Sequence, residues 1–138
     1  MYKNDYNEFL NTLSAQLNIN YPDKEDLTKH LLSKIKDFIE TDFKGISENK
    51  IFRNFLITLR EIIEFAFENK TTKSYLRIIF KTFNNDIILN ELNRIMPSKE
   101  KNINFVLNKL FYLFTYQDAT ISYENKLTEI LDFLDSHK

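Results

Sequence analysis

The residues whose types and spacing come closest to a chemical device are four cations: Lys70, Lys73, Arg77 and Lys81. The last three recur every four positions, so a helix would carry them in one row, with Lys70 just ahead of it. Such a row can track a phosphate backbone. Four phosphate contacts on duplex DNA would give a log–log salt slope of roughly −3.6, a loss on the order of a hundredfold in affinity between 50 and 200 mM salt. Arg53 and Arg60 form a second, shorter basic line upstream. Glu61, Glu64 and Glu68 precede the basic row as an acidic stripe. If the chain turned back on itself between the two, they would lie side by side. Exposed pairs of this sort are worth only roughly 0–1 kcal/mol each, but they would cancel the local field.

The second feature is the aromatic run Phe111-Tyr112-Leu113-Phe114-Thr115-Tyr116. One face of a helix hides only part of it. Phe111 and Phe114 continue an inward stripe, which leaves Tyr112, Leu113 and Tyr116 as candidate protein-interface residues. Phe65 and Phe67 widen the apolar arc of an earlier segment in the same way and join that candidate set.

Other chemistry is thinly supplied. His30 lies one turn after Asp26, a spacing that offers half a metal site, but a solvated His beside an acid needs the same spacing. His137 sits in the C-terminal tail. The Glu-x-x-His motif of di-iron bundles does not occur. With no cysteine, thiolate metal sites, disulfides and a Cys nucleophile are excluded. With one glycine in 138 residues, the P-loop, the dinucleotide fingerprint and the serine nucleophile elbow are excluded by counting. No cofactor or metal is expected.

The formal net charge of −1 and pI of about 6.1 give the whole molecule no bulk attraction to polyanions. The longest uninterrupted apolar run, Leu110–Phe114, falls far short of the about 20 residues of a membrane span. The first ten residues are polar and lack the apolar stretch of a signal peptide. A cytoplasmic protein without membrane contact is the expectation.

Positioning these residues is the work of helices. Gly and Pro are the strongest local breakers of regular structure, and Pro22, Gly45 and Pro97 are the only ones present. Between them apolar residues recur at helical spacing. The pattern predicts helices over about 4–17, 24–43, 48–68, 72–83, 99–116 and 122–135, with a short fifth helix between 86 and Pro97 that carries Ile88, Leu92 and Ile95. Asp23, Ser47, Thr71 or Thr72 and Ser98 are the natural N-caps, Asn84-Asn85-Asp86 a turn and cap before the fifth helix, and Gly45 a C′ glycine for the second helix. The third segment is apolar over so wide an arc that it is expected to be enclosed by the others.

These observations predict an all-α chain: a compact single-domain bundle of about six or seven helices over residues 1–138, with almost no strand. They point to a non-enzymatic protein–protein interaction module (an adaptor, an inhibitor or immunity protein, or an assembly subunit). It would act through an aromatic helix face on a protein partner or a second copy. Two alternatives remain: a nucleic-acid-binding subunit using Lys70, Lys73, Arg77 and Lys81, and a helical enzyme or ligand carrier with a polar cluster or cavity among its helices.

Overall fold

A computed structural model describes residues 3–115 and 123–136, and among these the regular structure is entirely helical. The chain runs α1 (Lys3–Asn20), α2 (Glu25–Glu40), α3 (Glu48–Glu68), α4 (Lys73–Phe83), α5 (Asp86–Ile95), α6 (Glu100–Thr115) and α7 (Tyr123–Ser136). One-turn 3₁₀ segments, Pro22–Lys24 and Pro97–Lys99, lead into α2 and α6. In both a proline stands at the first position, where its missing N–H costs nothing.

Caps explain most boundaries. Ser47 Oγ accepts from the Lys50 N–H at 3.3 Å to start α3, and Asn85 Oδ1 accepts from the Ile87 N–H at 2.8 Å to start α5. Four capping expectations need correction. Lys24, not Asp23, occupies the N-cap of α2, because the 3₁₀ turn at Pro22 absorbs Asp23. Ser98 likewise lies inside a 3₁₀ turn, and its N–H donates to Glu48 Oε1 at 2.8 Å. Thr72 holds the N-cap position of α4, but its hydroxyl is bonded to the Tyr21 hydroxyl instead; Thr71 closes α3, its Oγ donating to the Ala66 carbonyl at 2.9 Å. Gly45 does adopt the left-handed conformation, at φ 80°, but in the loop beyond α2; the helix already ends at Glu40, with Thr41 extended.

The buried apolar side chains form one cluster drawn from all seven helices. α4 packs most extensively on α6 and also touches α1, while α2 lies against both α1 and α3. α3 buries Ile51, Phe52, Phe55, Leu56, Leu59, Ile62, Ile63 and Ala66. It is not enclosed on every side, since Arg53 and Ile57 remain exposed along its outer edge. Aromatic stacking knits the α4–α6 contact: Phe80 lies nearly parallel to Phe114, with ring centroids 5.5 Å apart and an interplanar angle of 5°. Each fully buried side chain of this size contributes about 1.5–3 kcal/mol of transfer free energy.

Polar ties orient α4 against the N-terminal helices. The hydroxyls of Thr28 on α2 and Tyr75 on α4, both at 0% exposure, meet at 2.8 Å. The Tyr21 ring sits edge-on to Tyr75 at 5.2 Å, and Lys24 Nζ donates to the Asn69 carbonyl at 2.6 Å. This network fixes the start of the helix that carries the basic row. No described helix is long and apolar enough to cross a membrane.

Candidate functional site

α6 forms because Ile103, Val106, Leu107, Leu110, Leu113 and Phe114 bring an apolar arc round to the core. Its outward side is not purely polar. Phe105 is 53% exposed and Tyr112 is 54% exposed, seven positions apart and therefore on one side of the helix. Lys109 lies between them, its Nζ 5.7 Å from the centre of the Tyr112 ring. Phe133 of α7, half-buried, meets Phe105 at 5.8 Å. Phe105 and Phe133 stand equally far from the connecting residues 116–122, the pairing of an antiparallel hairpin. The hairpin thus presents an aromatic strip of Phe105, Tyr112 and Phe133. Lys101 and Lys109 lie on its α6 half; Glu129 and Asp132 are exposed on its α7 half.

The interface residues expected from sequence are distributed unevenly. Tyr112 is on this surface. Leu113 is not: it is 2% exposed, because α6 is flanked by α4, α5 and α7 and its buried arc is wider than a single stripe. Tyr116 lies outside the described residues. Phe65 is half-buried and already covered within the chain, its ring 4.6 Å from the His30 ring in edge geometry and 5.1 Å from Lys34 Nζ. Phe67 is half-buried against the core. Phe105 and Phe133 were missed. Phe105 falls outside the inward stripe of its helix and has the same signal as Tyr112, a large ring on the polar side; Phe133 borders the inward stripe of α7 and had none.

The basic row is assembled on α4 as its spacing predicts. Arg77 and Lys81 are exposed, Lys73 is half-buried, and Lys70 is exposed in the preceding turn with φ 57°. The acidic stripe does not run alongside it. Glu61 is held by Lys34 of α2 at 2.7 Å, and Glu64 by Arg60 at 2.7 Å. Arg60 also reaches Asp135 of α7 at 2.7 Å, so it leaves the short basic line with Arg53. The reason is topological: α4 crosses to α6 rather than returning along α3. Beyond Lys81 opens a cleft of about 520 Å³ between α1 and the α4–α5 turn, lined by Glu8, Thr12, Gln16, Asn84 and Asn85, with Ile78 and Ile87 at its apolar edge.

One polar cluster runs from the interior, at Tyr6 and Glu91, out to the exposed side chains of Glu40 and Arg94. Glu91, 3% exposed, receives both Nε and Nη2 of Arg94, and the Tyr6 hydroxyl donates to Glu40 Oε1 at 3.0 Å. Burial is the main cause holding the Tyr6 phenol above its ordinary pKa, with the Glu40 hydrogen bond and the nearby carboxylates adding to it and Arg94 opposing. A phenol so held keeps its proton at neutral pH and serves as a donor tying α1 to α2, not as a base. Among the described residues no group of His, Asp and Glu is arranged to hold a metal ion, and His30 packs on Phe65.

No protein-family model, curated protein or solved structure matches this chain.

Proposed function

We propose that this chain is a non-enzymatic protein–protein interaction module whose docking surface is the outer side of the α6–α7 hairpin. The observation that carries this reading is the placement of Phe105 and Tyr112, two large rings more than half exposed on one side of a single helix, with Phe133 beside them. Exposed aromatic groups cost solvation and gain when a partner covers them, and aromatic residues are enriched at the buried centre of interfaces. The flanking lysines and acids supply the polar rim.

The test is affinity purification of the tagged chain from the cells that encode it, in parallel with Phe105→Ser/Tyr112→Ser and Arg77→Glu/Lys81→Glu variants. A stoichiometric protein that the aromatic variant loses and the charge variant keeps is the expected result. Equal recovery with the aromatic variant refutes the reading.

A second reading is favoured by one observation. Glu61 and Glu64 are engaged with Lys34 and Arg60, so two of the three acids of that stripe are drawn away from the row on α4. Lys70, Arg77 and Lys81 then form a line of exposed cations suited to a phosphate backbone. Absorbance at 260 nm in the same purification, lost in the Arg77→Glu/Lys81→Glu variant, is its signature; no binding to nucleic acid at 50 mM salt, where the electrostatic contribution is strong, rules it out.

A further inference from the structure

The cleft between α1 and the α4–α5 turn holds one charge of each sign and keeps them apart. Glu8 of α1 and Lys81 of α4 both line it. Among the described residues neither side chain takes part in an ion pair. Glu8 is the only charged residue of α1 from Tyr6 to Asn20. On the facing elements Arg77 and Asp86, one cation and one anion, flank the lining without belonging to it. Beside the two charges the side-chain amides of Gln16 and Asn84 offer donors and acceptors, and Ile78 and Ile87 supply an apolar edge. We infer that this cleft binds a short peptide with both termini free, its ammonium on Glu8 and its carboxylate on Lys81. The site is separate from the α6–α7 face and does not depend on how that face is read.

The lining selects the class. A phosphate-bearing polyanion that fills the cleft meets Glu8 as well as Lys81, and a neutral polyol satisfies neither charge. A zwitterion matches both, and an amide between its ends gives Gln16 and Asn84 a partner. Spacing separates a peptide from a free amino acid. Tyr21, just past α1, bonds Thr72 at the start of α4 at 3.1 Å, while Glu8 shares the cleft with the end of α4, so the two helices run antiparallel. Counted from that bond, Glu8 lies thirteen residues back and Lys81 nine residues on, an offset of about four residues of helix or about 6 Å along the groove. A free amino acid carries both charges on one carbon, whereas an extended dipeptide spans about 7 Å. The dipeptide bridges the offset and the free amino acid does not. Both isoleucines stand on the elements of the Lys81 wall, which suits an aliphatic side chain on the carboxyl-terminal residue of the ligand. The cleft volume of about 520 Å³ falls within the range of small-molecule sites.

Titration of the nitrogen-15-labelled chain with the dipeptide alanyl-leucine, into the tens of millimolar, tests the assignment by amide chemical shift. The signals of Gln16, Asn84 and their neighbours in the cleft are expected to move along one saturable curve. Acetylating the amine of the ligand and amidating its carboxylate should each weaken binding by about fivefold, the upper value of one exposed ion pair. The acetylation penalty should vanish in Glu8→Ala and the amidation penalty in Lys81→Met. Both residues are exposed, so the variants should keep the helical circular dichroism of the wild type. Free leucine should bind about fivefold more weakly than the dipeptide, because it reaches only one of the two charges. A spectrum unmoved by the dipeptide overturns the site. Terminal penalties that persist in both variants overturn the roles given to Glu8 and Lys81. Leucine or inorganic phosphate equal to the dipeptide overturns the ligand class.

Discussion

The hydroxyl pair joining α2 to α4 offers a sharp test of how the helix bearing the basic row is held. Thr28 Oγ and Tyr75 Oη are 2.8 Å apart, and both residues are at 0% exposure, so neither hydroxyl has water to fall back on. Tyr75→Phe removes one partner and keeps the buried ring and its edge contact with Tyr21. Thr28→Val removes the other at nearly constant shape. Each single change forfeits a hydrogen bond of about 1 kcal/mol and strands a buried hydroxyl, for a total cost of about 1–3 kcal/mol. The double variant strands nothing and replaces two polar groups by apolar ones of the same shape, so it should lie within about 1 kcal/mol of the wild type. The two single losses sum to about 2–6 kcal/mol, so the coupling in the cycle is at least about 1 kcal/mol in size, above the error of additivity for independent sites. Urea titration followed by circular dichroism measures all four proteins, with the midpoint shifting and the slope unchanged. If the double variant loses the sum of the two single losses, the hydroxyls are not each other's partners and the account of how α4 is anchored fails.

Three further outcomes follow from the same structure. Tyr112→Ser should change stability by no more than about 1 kcal/mol, whereas Leu113→Ala, one position along, should cost about 2–5 kcal/mol; thermal melts of the two variants separate surface from core directly. Burial raises the Tyr75 phenol pKa, against the opposing hydrogen bond from Thr28, so its stabilising contribution is complete below the unfolded value of about 10 and is lost as pH climbs from there toward the folded value. Across that window stability should fall by up to about 1.4 kcal/mol per pH unit on account of this group, and Tyr75→Phe should flatten the alkaline limb of a denaturation-versus-pH curve by that amount. Arg94→Met leaves the Glu91 carboxylate, 3% exposed, without its two-pronged donor. Because the Arg94 side chain is itself 56% exposed, the expected loss is about 1–3 kcal/mol, smaller than for a wholly buried pair. Adding Glu91→Leu should recover most of it, since the pair replaced by apolar groups is close to neutral; chemical denaturation of the single and double variants decides.

The amino-acid sequence by itself determined that the chain is helical, where α3 begins and ends, and which side of α4 carries cations. Each of these depends on interactions within a few residues: a Ser47 side chain reaching Lys50, apolar groups returning once per turn, cations at every fourth position. Sequence also marked Tyr112 as a ring on the wrong side of its helix. Only the tertiary structure decided the rest. Leu113 was assigned outward by periodicity and went inward because three helices flank α6. Whether the acidic stripe meets the basic row was open in the sequence; Lys34 and Arg60 take Glu61 and Glu64, while α4 crosses the bundle to stack Phe80 on Phe114. The joining of Phe105 and Phe133 into one surface likewise depends on α7 folding back along α6. Contacts between residues far apart in the chain depend on which helices become neighbours, and an apolar stripe of helical period states that a face will be buried without stating against what.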